Sequence, residues 1–148
     1  MHFRTLLFAV ALLTVPSVSL AQTPMLPPQP AVHPAGIPAG AVMVSPCVAA
    51  MGSHWANPKD LPFGPIYGVM DGRPVFTEVM VDQKLFAAGK SWNDLLKPLP
   101  GHKIDHVDIW FEPKGHQGYP IPHYDIHAYY VSHATHMAYC PHGLQVPK

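Results

Sequence analysis

Residues 102–139 read HKIDHVDIWFEPKGHQGYPIPHYDIHAYYVSHATHMAY and hold most of the eleven histidines of the chain. Two segments of this stretch, residues 106–112 and 123–131, alternate with the period of two that is typical of β-strands. Successive strand side chains point to opposite faces, so each segment places its histidines and aspartates on one face. The stretch therefore predicts two strands that each carry a face of imidazoles and carboxylates. The link between them is rich in glycine and proline and is predicted to be a loop that exposes His116.

These polar faces contain the residues that could bind a metal ion. Their members are His106, Asp108, Trp110 and Glu112 in the first strand, and His123, Asp125, His127, Tyr129 and Val131 in the second. Imidazole and carboxylate are the usual ligands of Zn, Fe, Mn and Cu. Strand positions i and i+4 lie about 13 Å apart, so His123 and His127 are too distant to bind one ion. The pairs that could share an ion are His123 with Asp125, Asp125 with His127, and His106 with Asp108.

Other interpretations of the same alternation stay open. Asp and His on a strand also form hydrogen-bonded networks without metal, in which the carboxylate orients the imidazole. The polar faces could equally be the solvated side of an amphipathic sheet. A His–Asp pair could also serve general acid–base catalysis. No serine nucleophile motif, phosphate-binding loop or CxxC motif is present, so covalent and dithiol chemistry have no support.

A β-hairpin is predicted between Gly64 and Val81. Residues 66–70 and 73–81 alternate like strands, and Asp71-Gly72 between them favours a two-residue type I′ turn. Counting outward from this turn pairs Val69 with Pro74 and Tyr67 with Phe76.

The hairpin places one carboxylate, Glu78, on an otherwise apolar face with Tyr67, Phe76 and Met80. An unpaired buried charge is costly. Glu78 therefore either lies at an edge in water or meets an arginine, a histidine or a metal ion.

Shorter signals flank the hairpin. Before it lies a short segment between two turn signals, Gly52 and Asn57-Pro58. This segment contains His54, which either packs on Trp55 or contributes to a site. After it, residues 83–88 resemble a short helix closed by a glycine, and residues 91–94 resemble the start of a second one.

The first 21 residues read as a secretory signal. Leu6 to Val15 form an apolar run, and Ser19-Leu20-Ala21 resembles a cleavage site. Such a run is shorter than the roughly 20 residues that a membrane span needs. We expect a periplasmic or secreted protein without a membrane span after cleavage, a flexible Pro-rich lead-in at 22–46 that could turn into a short strand at Ala41 to Val44, and one domain at 47–148.

The charge and the cysteine content limit which classes of partner and which cellular compartment fit this protein. Nine Lys and Arg balance nine Asp and Glu, and no basic stripe is present, which argues against nucleic acid as a partner. Cys47 and Cys140 are the two cysteines. In an oxidising compartment they most simply form one disulfide; a thiolate metal site or a reactive thiol is the alternative. A small-molecule ligand cannot be named.

Four segments, CVAAMGSHW, GPIYGVMDGRPVFTEVM, HVDIWFEPKGH and PHYDIHAYYV, follow one another between Cys47 and Val131. Together they resemble a group of exported bacterial proteins that carry a domain of unknown function. The resemblance implies a mainly β domain, a barrel-like or sandwich antiparallel sheet with one or two short helices. It also implies assembly with copies of itself and no established activity. The polar residues that match by position are His54, Glu78, His123, Asp125 and His127.

This order of residues also resembles the ligand order of cupin barrels, although the cupin HxH pair is missing and His54 stands alone. Three functions follow as hypotheses. The first is an exported protein whose His/carboxylate site binds a divalent metal such as Zn, Mn, Fe or Cu. The second is a cupin-like metal-dependent enzyme with His54, Glu78 and His127 as ligands and Asp125 as the residue that orients a ligand or acts as a base. The third is a non-enzymatic envelope or stress protein with a structural His–Asp network.

Overall fold

The computed structural model describes residues 26–145, so the predicted signal segment 1–21 lies outside the described residues. The described residues form six strands and two short α-helices, with a 3₁₀ turn at Pro58–Asp60. The strands are β1 (Val42–Val48), β2 (Gly52–Ala56), β3 (Ile66–Met70), β4 (Arg73–Asp82), β5 (His106–Glu112) and β6 (His123–Tyr129). The helices are α1 (Gln83–Ala87) and α2 (His133–Met137).

All six strands belong to one antiparallel sheet with the order β1-β2-β3-β4-β6-β5. The mainly β, antiparallel architecture with two short helices confirms the fold class predicted from the sequence. The described sheet is open, with β1 and β5 at its two ends, and is not closed into a barrel. Because β6 lies between β4 and β5, side chains from three strands meet around it.

The hairpin of β3 and β4 turns at Asp71 and Gly72, whose φ angles are 49° and 72°. A type I′ turn needs positive φ at both central residues, which explains the Asp-Gly sequence. The predicted pairing of Val69 with Pro74 is confirmed.

A β-bulge then shifts the register of this hairpin by one residue. Val75 has no partner on β3, so Gly68 pairs with Phe76 and Tyr67 pairs with Thr77. The predicted pairing of Tyr67 with Phe76 is wrong because a bulged residue changes which positions are opposite each other. Gly68 suits this arrangement, since a Cβ there would overlap the ring of Phe76.

Helix α1 forms where a short helix was predicted after the hairpin. Its N-terminus is capped by Asp82, whose side chain accepts hydrogen bonds from the backbone N–H groups of Lys84 and Leu85. Asp at this position is a strong helix-starting signal. Gly89 follows the helix with a φ of 76°, the left-handed conformation in which glycine ends helices.

The helix predicted to start at residues 91–94 does not form. Asp94 and Leu96 have φ angles of 61° and 56°, which are incompatible with an α-helix. The run between Gly89 and Pro98 is short and mostly exposed, and so short a helix is unstable without a buried face. The second short helix is α2, in the tail where no regular element was predicted.

The apolar core lies on both faces of the sheet. Phe76 and Tyr129 are fully buried on one face. On the other, Ile37 and Ala41 pack with Trp55 and Val69. Ile37, Ala41 and the start of β1 belong to the segment predicted as a flexible lead-in, so the sheet begins inside that segment.

The disulfide expected between Cys47 and Cys140 is present, with a Cα–Cα distance of 6.0 Å. Backbone hydrogen bonds run beside it: the N–H of Leu144 donates to the carbonyl of Cys47, and the N–H of Ala49 donates to the carbonyl of Leu144. These contacts hold the tail against β1. Among residues 26–145, no helix is both long and apolar enough to cross a membrane.

Replacing both cysteines with serine (Cys47→Ser with Cys140→Ser) should lower the free energy of unfolding by about 4–5 kcal/mol. The bond closes a loop of 93 residues, and opening such a loop restores that much chain entropy to the unfolded state. Urea denaturation of oxidised wild type and of the double variant measures the difference. Adding reductant should lower the urea midpoint of the wild type and should leave that of the double variant unchanged. Equal transition midpoints and slopes for the two proteins would contradict the prediction.

Candidate metal centres

Strands β5 and β6 place their polar residues on one shared face, which we call the inner face. Asp108 is opposite His127 and Trp110 is opposite Asp125 across the two strands. The β6 side chains of the inner face are buried: His123 and His127 are 0% exposed and Asp125 is 3% exposed. These side chains therefore do not form the solvated face of an amphipathic sheet.

The outer face of β5 is apolar and exposed. Val107, Ile109 and Phe111 are 50%, 63% and 43% exposed. An antiparallel sheet with one solvated face usually turns its apolar residues inward. Here the imidazoles and carboxylates are inside, so their burial has to be compensated by contacts among themselves or with a ligand.

The first group on the inner face is the Glu78 cluster, made of His54, Glu78 and His127. Glu78 on β4 is directly opposite His127 on β6, and His54 reaches them from β2. The Glu78 Oε1 lies 3.4 Å from His127 Nε2, and its Oε2 lies 3.8 Å from His54 Nε2. Glu78 is 3% exposed, so it meets two histidines and does not lie at a wet edge.

The sequence placed three apolar residues on the face of Glu78, namely Tyr67, Phe76 and Met80. The alternation of β4 places Phe76 and Met80 on that face, as predicted. Tyr67 is not there, because the bulge at Val75 pairs it with Thr77 and turns it to the opposite face.

Burial determines the protonation of the Glu78 cluster. It lowers the pKa of His54 to about 4 and that of His127 to about 3. Burial also raises the pKa of the Glu78 carboxyl well above its ordinary value. Both imidazoles are neutral at physiological pH, which is the form that binds metal. Both ring nitrogens of His127 and the Oε2 of Glu78 are buried without a hydrogen-bond partner.

The second group is the Asp125 cluster, made of His116, His123 and Asp125. His123 Nε2 lies 3.0 Å from Asp125 Oδ1 and 3.0 Å from His116 Nε2. His116 Nε2 lies 3.6 Å from Asp125 Oδ2. His116 was expected to be exposed in its loop, but the loop folds back over His123 and leaves the His116 side chain 28% exposed.

Backbone carbonyls fix the tautomers of the two histidines in the Asp125 cluster. The Nδ1 of His123 donates to the carbonyl of Ile121 at 2.6 Å, and the Nδ1 of His116 donates to that of Gln117 at 3.0 Å. A carbonyl oxygen only accepts, so both Nδ1 atoms carry hydrogens. Each neutral ring then presents a lone pair at Nε2, and the two lone pairs face each other. A cation between them makes this contact favourable.

A proton can also supply the positive charge between the Nε2 atoms of His116 and His123. The hydrogen bond to Asp125 raises the pKa of His116 to about 9. A protonated His116 that donates to Asp125 would form a metal-free ion pair from the same atoms that would bind a metal ion. The same atoms of the Asp125 cluster could therefore hold either a proton or a metal ion.

The third group, the Asp108 cluster, contains His106 and Asp108 of β5 with His133 and His136 of α2. His106 and Asp108 were secondary candidates from the sequence. His133 and His136 were missed because the tail has no strand alternation. A signal was present, since Ser132 caps α2 and positions three apart share a helix face.

The five residues singled out from the sequence thus fall into two clusters. His54, Glu78 and His127 form one, and His123 with Asp125 belongs to the other. His123 and His127 are separate, as their spacing on one strand requires. The pair His106 and Asp108 does not join either cluster but meets α2. His116 was the member of the Asp125 cluster that the sequence did not indicate.

Two surface cavities lie elsewhere on the described residues. The larger, of about 840 Å³, is lined by the β3–β4 turn and by residues that include His102, Tyr130 and Tyr139. The smaller, of about 320 Å³, lies near Trp92 and Tyr119. Neither is lined by a residue of the three clusters.

Comparison with known proteins places the chain near an uncharacterised family. The model of the TTHB210-like family, described as "Hypothetical protein TTHB210", matches residues 69–111. The crystal structure of hypothetical protein TTHB210 from Thermus thermophilus is similar, with a TM-score of 0.53 and 23% sequence identity. The likeness covers 63% of this chain and 89% of that chain, and it shows a common fold. No curated protein matches the chain.

The tautomers can be tested directly. Long-range ¹H–¹⁵N correlation spectra of the metal-free protein near neutral pH should show the Nδ1-protonated ring at His123 and at His136. The reason is that each Nδ1 donates to a backbone carbonyl, from Ile121 and Ala50 respectively. The exposed His142 serves as the reference for an unconstrained ring. A neutral ring protonated at Nε2 alone, at His123 or His136, would contradict the described hydrogen bonds.

Proposed function

We propose that this chain is an exported, mainly β protein that binds divalent transition metals on the inner face of its sheet. The binding groups are the Glu78 cluster and the Asp125 cluster, and no catalytic step is assigned to them. The observation that carries this proposal is the 3.0 Å approach of the His116 and His123 Nε2 atoms. Each ring is held in that position by an Nδ1–H bond to a carbonyl.

The donor sets suit transition metals. Each of the two clusters offers two imidazole nitrogens and a carboxylate, which is a ligand set of Zn, Fe, Mn and Cu sites. Three protein ligands leave a further coordination position open. A hydrogen bond from the other ring nitrogen to a carbonyl, as at His123 and His116, orients a ligating histidine and raises its basicity.

The cupin-like enzyme has less support. The described sheet is open, whereas a cupin is a barrel, and no cluster residue lines either of the two cavities described above. The structural network without metal has a specific observation in its favour, the ion pair that a protonated His116 would form with Asp125. The metal-binding proposal predicts bound metal in the purified protein, whereas the structural network predicts none.

Export is the second part of the proposal. The secretory signal predicted at residues 1–21 motivates it. The disulfide between Cys47 and Cys140 is compatible with the oxidising compartments in which such bonds persist.

Elemental analysis tests the metal sites. Protein recovered from the periplasm, purified without affinity tags or chelators, should contain bound transition metal. His123→Ala and His127→Ala should each lower the content by about one equivalent, because each removes a ligand of a different cluster. His142→Ala, a change of an exposed histidine outside the clusters, should leave the content unchanged.

Two results would contradict the proposal. One is wild-type protein without metal whose melting temperature is unaffected by added Zn, Cu, Mn or Fe. The other is metal content that is the same in the wild type, His123→Ala and His127→Ala. Either result would favour the His–Asp network.

Self-association is the third part, and it concerns the outer face of β5. This strand lies at one end of the sheet, so one row of its backbone N–H and C=O groups has no partner strand among residues 26–145. Its outward side chains are the apolar Val107, Ile109 and Phe111, all exposed. A second copy of β5 fits best, because two identical antiparallel strands can pair about a two-fold axis.

Ile109→Lys should convert the assembled protein to a monomer without unfolding it, because the side chain is 63% exposed and a lysine on an edge strand blocks edge pairing. Light scattering coupled to size exclusion measures the mass. Lys103→Ala, outside the strand, is the control. A wild type that is monomeric at high concentration, or an Ile109→Lys variant with wild-type mass, would refute this interface.

A further inference from the structure

The Asp108 cluster differs from the other two because four residues converge in it. The His136 Nε2 lies 3.1 Å from His133 Nδ1 and 3.4 Å from His106 Nε2. The Asp108 Oδ2 lies 3.6 Å from His133 Nδ1, 3.6 Å from His136 Nε2 and 3.9 Å from His106 Nε2. Four donor atoms thus surround one point between β5 and α2.

Two of these rings have their hydrogens assigned by neighbouring oxygen atoms. The Nδ1 of His136 donates to the carbonyl of Ala50 at 2.8 Å, and the Nδ1 of His106 donates to the carboxylate of Asp105 at 2.9 Å. The Nε2 atoms of both neutral rings therefore carry lone pairs that point into the cluster. Asp108 adds an oxygen, its Oδ2, that is buried without a hydrogen-bond partner.

Hydrogen bonds within the cluster cannot satisfy this arrangement. With neutral rings, only His133 can bring a hydrogen, and one hydrogen serves one of the three acceptors at a time. The remaining lone pairs then face one another beside His136, which is 0% exposed, and beside the Asp108 Oδ2 atom, which is buried without a hydrogen-bond partner. That arrangement is unfavourable unless a cation lies among them.

The spacing fits a tetrahedral ion. Zinc binds imidazole nitrogen and carboxylate oxygen at about 2.0–2.2 Å, so its tetrahedral ligands lie about 3.3–3.6 Å apart. The five separations given above run from 3.1 to 3.9 Å and bracket this distance, and all four ligand atoms lie within 4.8 Å of one another. Four protein ligands close the coordination shell, and closed tetrahedral shells are typical of structural zinc sites.

We infer that the Asp108 cluster is a structural zinc site that fastens α2 to strand β5. It goes beyond the metal sites proposed above, because it uses four other residues and leaves no open coordination position. The helix it would fasten is short, and residues 133–137 offer one buried side chain, His136. So short a helix needs an external constraint to persist. The Nδ1–H bond of His136 to Ala50 extends the fastening to the turn between β1 and β2.

Hydrogen exchange of the α2 amides measures this fastening. In the full chain with its disulfide intact, zinc at a hundred times its dissociation constant should slow the exchange of these amides by about 100-fold. That factor follows if α2 opens only after the ion leaves. His133→Ala should abolish the slowing, and it should fold normally because the His133 side chain is 64% exposed.

Two further variants make the test specific. His123→Ala removes a ligand of the Asp125 cluster and should keep the zinc effect on α2, whether or not that cluster binds metal. His142→Ala, in the tail but outside the cluster, should also keep it. Unchanged α2 exchange on adding zinc to the wild type, or persistence of the effect in His133→Ala, would overturn the inference. Because stoichiometry in His123→Ala and His127→Ala tests the other sites, the two proposals can fail separately.

Discussion

Burial of imidazole rings on the inner face is the constraint on which the rest of the structure depends. A ring excluded from water needs a partner for each of its two nitrogens. At His123 and His136 the first partner is a backbone carbonyl, from Ile121 and Ala50. This hydrogen bond to the backbone fixes the orientation of the ring, so the second nitrogen, Nε2, points at the neighbouring side chains. The clusters are therefore oriented before any ligand arrives, which lowers the cost of ordering them on binding.

Strand geometry divides these rings among separate sites. His123 and His127 share a face of β6 but lie about 13 Å apart along a regular strand, so each meets different partners. Glu78 of β4 is opposite His127, whereas His116 folds over His123 from a loop. With a metal ion bound, the two three-residue clusters would leave a coordination position open, whereas the four-residue cluster at α2 would close it. The proposed sites would thus differ in role: two would suit ligand exchange and one would hold α2 against the sheet.

Much of the sheet could be predicted from the sequence because alternation and turn chemistry are local signals. The strands around Asp108 and Asp125 and the turn at Asp71-Gly72 follow from them. The bulge at Val75 could not be predicted, because the alternation is apolar on both sides of it and either register buries suitable residues. The position of His116 next to His123 could not be predicted either, because a loop rich in glycine and proline has no periodicity. The sequence therefore singled out the strand members of the candidate clusters, and it missed the loop member His116 and the helix members His133 and His136.

The central claim is that metal ions bind between the histidines of the inner face. Anomalous diffraction from crystals grown with zinc, recorded above and below the zinc absorption edge, tests it most directly. The account predicts anomalous peaks inside the clusters, within bonding distance of His123 Nε2 and His136 Nε2 and next to Glu78. Peaks confined to exposed histidines such as His142, with none on the inner face, would contradict it.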